Sequence, residues 1–156
     1  MNTAIADGHD LGWKLGWVLA GWADEHLLDT YEQERRPVAA HNVARSLDPK
    51  GSYRDVVDEI HIDLGGRIAH LWIEEEGKRV STLDLVGDGL TLFTGPGTHL
   101  DTEASTDGSA PITVRALPAM TARALGIAPG DSLLVRPSGV PARNRSEIAL
   151  AAGVHQ

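Results

Sequence analysis

Met1-Asn2-Thr3-Ala4-Ile5-Ala6-Asp7-Gly8-His9-Asp10-Leu11-Gly12-Trp13-Lys14-Leu15 opens the chain and decides how the rest is read. From about Ile5 to Ala23 the apolar residues Leu11, Leu15, Val18, Leu19 and Trp22 return every three or four positions, which predicts a helix. Trp13 and Trp17 make a second apolar stripe, so this helix needs cover on more than one side. Gly8, Gly12 and Gly16 make a third stripe, one turn apart. Each Gly costs about 1 kcal/mol of helix propensity against Ala, so three on one face predict the close approach of another backbone or a ligand. Helix against helix is the plainer reading, and the partner this face was built for is expected to be missing from the chain.

A second helix is predicted from about Leu27 to Ser46. Pro37 within it lacks an N–H and should kink or restart the helix. Glu32, Glu34, Arg35 and Arg36 read as a solvated charged face, each pair contributing a few tenths of a kcal/mol. Asp48-Pro49-Lys50-Gly51-Ser52 is a turn cluster, Tyr53 to Glu59 suits a further helix, and Glu74-Glu75-Glu76-Gly77-Lys78 is a polar boundary into a differently patterned segment. Beyond Val80 short alternating strands are predicted at Leu90–Thr94, Ile112–Arg115 and Ser132–Arg136. One short helix fits Ala119–Leu125, and Pro137-Ser138-Gly139 should turn the chain back onto the last strand. Gly95 to Pro111 is polar, Gly-rich and without helical period.

Several function classes are excluded or disfavoured by composition. Hydrophobic residues at 42% and charged residues at 23% are ordinary for a globular chain. With 22 acidic against 14 basic residues, a net charge of -8 offers no surface for neutralising phosphates, so nucleic acid is not an expected partner. No cysteine is present, which removes disulfides and thiolate metal sites and accords with a reducing cytoplasm. The run Leu11–Ala23 is too short for a span of ~20 apolar residues and carries Lys14, while Asp7 and Asp10 precede it; neither a membrane partner nor a signal peptide is expected.

The opening stretch resembles the motif GMNTGIADAHNLAWKL of FAD-dependent aromatic-ring hydroxylases of the para-hydroxybenzoate hydroxylase type, particularly those that tailor bacterial aromatic polyketides. The run Tyr31-Glu32-Gln33-Glu34-Arg35-Arg36-Pro37-Val38-Ala39 is similar to a second motif of that family, in the same order and at the expected distance. Ser81-Thr82-Leu83-Asp84-Leu85, Leu92-Phe93-Thr94-Gly95-Pro96 and Leu134-Val135-Arg136-Pro137-Ser138-Gly139 resemble its C-terminal thioredoxin-like domain. Ser138 stands where the family carries Asp, and Ala142-Arg143-Asn144-Arg145 departs from the family's aromatic ending.

The resemblance implies a mixed α/β fold: N-terminal helices from an incomplete FAD-binding domain over 1–76, then a small thioredoxin-like α/β domain over 77–156. Without CxxC the latter has no dithiol chemistry. It also implies an NAD(P)H-using monooxygenase that hydroxylates aromatic or polyketide substrates. The family brings backbone amides around its Met-Asn pair to the pyrimidine side of the flavin, so Met1 and Asn2 are the expected FAD contacts; a helix N-terminus offers free N–H groups to an anionic reduced ring. The G-x-G-x-x-G turn that holds the FAD pyrophosphate is not in the sequence. The chain alone is therefore expected to bind FAD weakly or not at all, to be inactive, and to need a missing FAD-binding domain or flavoenzyme subunit.

The rival reading is a non-catalytic interaction or dimerisation module that docks on a flavoenzyme or self-associates. It predicts an exposed apolar patch around Trp13, Trp17 and Trp22. No catalytic residue is assigned. Glu59, His61 and Asp63 alternate like strand ligands but read as solvated residues, so no metal is assigned either. Asp7-Gly8-His9-Asp10 holds adjacent residues that point apart on a helix. Gly87-Asp88-Gly89 and Gly95-Pro96-Gly97 read as turns, not phosphate loops.

Overall fold

The computed structural model describes residues 2–47, 66–98 and 110–142. Helix α1, Asn2–Leu19, leads through a single 3-10 turn, Glu25–Leu28, into α2, Asp29–Leu47. The carboxylate of Asp24 starts that turn by accepting the His26 amide at 2.9 Å. The end of α1 is set by Gly21: its φ of 71° lets the Trp22 amide reach the Trp17 carbonyl at 2.9 Å and its own amide reach that of Val18 at 3.1 Å. This is the Schellman closure that a left-handed glycine allows. Of the kink or restart expected at Pro37, the restart does not occur: α2 continues through it.

Strands β1, Trp72–Glu75, and β2, Lys78–Ser81, form an antiparallel hairpin in which Glu75 pairs with Lys78. Its loop is Glu76-Gly77, both at positive φ, the backbone that matches strand twist in a two-residue turn. The expected boundary between 76 and 77 therefore falls on the tip of a hairpin. Ile68 and Ile73, before that tip, pack with the C-terminal core. Ser81-Thr82-Leu83-Asp84-Leu85 leaves the strand and turns: Asp84 Oδ2 accepts the Ser81 amide at 2.9 Å, and buried Thr82 donates to Ala69 O at 2.7 Å.

The main sheet has the order β4-β3-β5, with β3 (Leu90–Thr94) between β4 (Ile112–Ala116) and β5 (Ser132–Val135). β3 runs parallel to β4 and antiparallel to β5, so the sheet is mixed. Helix α3, Ala119–Ala124, connects β4 to β5. After β5 the turn at 137–139 closes with Gly139 N to Arg136 O at 2.8 Å, and Pro141 bridges back to Val135 as expected. Alternation along the strands gives the sheet two covered faces. Phe93, Leu133 and Val135 join Ile68, Leu85, Leu117, Ala122 and Ile127 on one. Leu90, Ile112 and Leu134 meet Trp13, Trp17 and Leu27 on the other, so the helical pair is packed onto the sheet.

Two loop glycines are there for close approach. A Cβ on Gly89 would lie 2.3 Å from Pro111 O, and one on Gly95 2.6 Å from Ala128 O. Both expected turns are thus packing devices at the ends of β3. The turn cluster at 48–52, the helix expected over 53–59, the residues Glu59, His61 and Asp63, most of the 95–111 run and Arg143–Arg145 lie outside the described residues.

Candidate functional site

The two ends of α1 do different work. Its N-terminal turn begins at Asn2 and contains no acidic residue, so no side chain of that turn cancels the partial positive charge of the helix end. The nearest carboxylate on the helix, Asp7, is taken up by Arg35, whose Nε donates at 2.8 Å. Asn42 Nδ2 donates to Thr3 Oγ1 at 3.0 Å and ties the first turn to α2. Met1 and the Asn2 side chain lie outside the described residues. A first turn without an acidic residue suits the edge of an anionic ring, whereas no described segment supplies a glycine-rich pyrophosphate turn after a strand.

Further along, the inner face of α1 carries a buried charge cluster. Lys14 is fully buried, with 0% exposure. Its Nζ donates to Glu34 Oε2 at 3.1 Å and lies 2.9 Å from Asp10 Oδ2. The second contact is an ion pair without hydrogen-bond alignment, since Asp10 Oδ2 has no directed donor. Asp10 Oδ1 accepts the Trp13 indole N–H at 3.1 Å. Arg136, just past β5, closes the set with a two-pronged contact: Nη1 to Glu34 Oε1 at 2.8 Å and Nη2 to Glu34 Oε2 at 3.3 Å. The Trp13 ring is near both cations, its centroid 5.6 Å from Lys14 Nζ and 5.8 Å from the Arg136 guanidinium carbon. Burial alone would push the Glu34 carboxyl up, but Arg136 and then Lys14 outweigh it and hold it below the usual carboxylate range.

This corrects two expectations. The Glu34-Arg35 part of the charged run is not a solvated face: Glu34 holds Lys14 and Arg136, and Arg35 holds Asp7. Only the Arg36–Glu32 pair is the exposed helix pair that was expected. The tryptophan patch is not exposed either, because Trp13 and Trp17 are in the core, with the Trp17 indole donating to Asp88 O at 2.8 Å. The open apolar face is the leucine stripe: Leu19 is 85% exposed and Ile5 66%, with Leu11 and Leu15 beside them. Gly8, Gly12 and Gly16 have nothing within 4 Å of a Cβ position, so the described chain supplies no helix against them. Asp7 and Asp10 serve as ion-pair partners, and no group of three metal-ligating side chains exists among the described residues.

Comparison with known proteins follows the same division. Residues 1–46, which span α1 and α2, match the family model described as FAD binding domain. A putative polyketide hydroxylase of Streptomyces halstedii is 38% identical over 126 residues, taking in 54% of this chain and 23% of that protein. The tetracenomycin A2 monooxygenase-dioxygenase of Streptomyces glaucescens is 33% identical over 132 residues, 61% of this chain and 23% of that one. Its first 46 residues are thus similar to an FAD-binding family, and over part of its length the chain is similar to polyketide hydroxylases. The cofactor of the matched family is FAD. The chain spans about a quarter of the length of these curated relatives.

The solved structure of the rebeccamycin biosynthetic enzyme RebC in substrate-free form superposes with a TM-score of 0.67 at 27% identity, covering 99% of this chain and 40% of RebC. The flavin-dependent monooxygenase PieE, at 22% identity, shares the fold with a TM-score of 0.66 over 97% of this chain and 43% of its own. The mixed α/β architecture, helices first and small sheet second, is therefore that of flavin monooxygenases. No helix among the described residues is long and apolar enough to cross a membrane.

Proposed function

We propose that this chain forms part of an FAD-dependent, NAD(P)H-using monooxygenase that hydroxylates aromatic or polyketide substrates, and that it is inactive without a dinucleotide-binding unit. The observation that carries the reading is the match of α1 and α2 to an FAD-binding family, joined in one packed structure to a sheet unit that aligns in the same order with flavin monooxygenases. Bound FAD would supply the oxygen-transfer chemistry. The chain's own contribution is the start of α1, where the backbone amides of Met1 and Asn2 would face the ring edge beside a first turn that carries no acidic residue.

The open face of α1 supports the partner half of the proposal. Exposed Ile5, Leu11, Leu15 and Leu19 flank glycines with no neighbour, a combination that admits another backbone closely. A dinucleotide-binding unit is the occupant this reading assigns, and docking on a flavoenzyme or self-association through the same face is the second reading. The test is to mix the purified chain with FAD, first alone and then with the dinucleotide-binding portion of a curated relative, following flavin fluorescence and visible absorption. The chain alone should leave FAD free, and the mixture should perturb the flavin spectrum. Tight, coloured FAD binding by the chain alone would refute the need for a partner. An unperturbed flavin in the mixture, with the chain dimeric through the leucine face, would favour the second reading.

A further inference from the structure

We propose that the C-terminal sheet unit acts as an intramolecular clamp that fixes the rotation of α1, with Arg136 as its positioning residue. This gives a role to a thioredoxin-like unit that has no dithiol, and it goes beyond the flavin reading without depending on it. The clamp grips α1 at two points less than one turn apart. The Asp88 carbonyl accepts the Trp17 indole at 2.8 Å, and Arg136 holds Glu34, which in turn holds Lys14 at 3.1 Å. Asp10, Trp13, Lys14 and Trp17 thereby make up the inner face. One residue of rotation is about 100°, enough to pull Lys14 out of the cluster and turn the leucine stripe toward the sheet.

Charge balance makes Arg136 the decisive member. Asp10 and Glu34 contribute two negative charges, Lys14 and Arg136 two positive charges, and the cluster is neutral. Three of the four groups belong to the helical pair, and only Arg136 comes from the sheet unit. Without it, buried Asp10 and Lys14 and partly buried Glu34 would carry one uncompensated negative charge, and a charge left unpaired away from water is destabilising. Glu34 therefore finds its second cation only when the helical pair is docked on the sheet, and only in the rotation that aims Lys14 and Glu34 at Arg136.

Hydrogen exchange of the full chain, read segment by segment, tests this with Arg136→Met, Arg136→Lys and the double variant Glu34→Gln/Arg136→Met. Arg136→Met should speed exchange across α1 by at least ~100-fold while β3 and β5 stay protected, and Arg136→Lys, which keeps the charge but not the fork, should fall between. The double variant restores neutrality without restoring any contact to residue 136, and it should recover most of the α1 protection. A role confined to packing would not produce that rescue. Should Arg136→Met fail to fold, a folded double variant supports the clamp. Unchanged α1 exchange in Arg136→Met, or a double variant no better than the single one, overturns it.

Discussion

Glu34 is the residue on which the helical pair and the sheet unit converge, and its ionisation ties stability to pH. Burial raises its pKa, and the Arg136 and Lys14 contacts lower it further than burial raises it, so the folded value lies below the usual range of a glutamate carboxyl. A carboxyl with a depressed folded pKa contributes stability that is fully present above the unfolded pKa and is lost as pH falls through the folded one. Acidification from about pH 5 downward should therefore weaken the native chain in part through Glu34. Glu34→Gln should be less stable at pH 7, because Lys14 and Arg136 lose their shared acceptor, and its stability should fall less steeply below the carboxylate range. Urea unfolding at a series of pH values measures both. A parallel decline of the two proteins would remove Glu34 from the acid response.

At the scale of elements, α1 shows what its sequence could and could not disclose. Helical spacing, the second helix, three strands, the short helix and the turn back at 137–139 were all legible, because each rests on local periodicity or turn chemistry. Which side of α1 is buried was not. Leu11, Leu15 and Leu19 are as apolar as Trp13 and Trp17, and hydropathy cannot choose between two apolar stripes when the buried one also carries Asp10 and Lys14. The role of Glu34 was hidden for a different reason: its partner Arg136 lies 102 residues away, beyond any local pattern. The Glu76-Gly77 hairpin loop was masked by four charged neighbours that read as solvent-exposed linker. Glycine positions on α1 allow a direct check. Gly21 closes the helix at φ 71° with no contact within 4 Å, so Gly21→Ala should cost about 1 kcal/mol through backbone strain alone. Gly12 sits mid-helix in open space, and Gly12→Ala should stabilise the isolated chain by about 1 kcal/mol. Thermal melts of the two variants should move in opposite directions; a destabilising Gly12→Ala would mean that the chain itself packs against that face.

On the scale of the whole molecule, the arrangement is a helical pair clamped inward on a sheet and left apolar outward. Leu15→Glu and Leu19→Glu lie on the open stripe, so each should leave the melting temperature within a degree or two of the parent, since substitutions away from packed groups usually fall within about 0.5 kcal/mol. Both should reduce self-association in light scattering and weaken complementation by a dinucleotide-binding unit. Trp13→Asp, on the inner face, should do the reverse: it places a third carboxylate beside Asp10 and Glu34 and empties a buried ring site near two cations, so the chain should lose its cooperative unfolding transition. The contrast is the informative quantity. If Leu19→Glu destabilised the chain as much as Trp13→Asp, α1 would be buried on both sides within one molecule and no docking face would be left. If Leu19→Glu affected only association, the outward stripe would be a surface held in place by the clamp for another unit to cover.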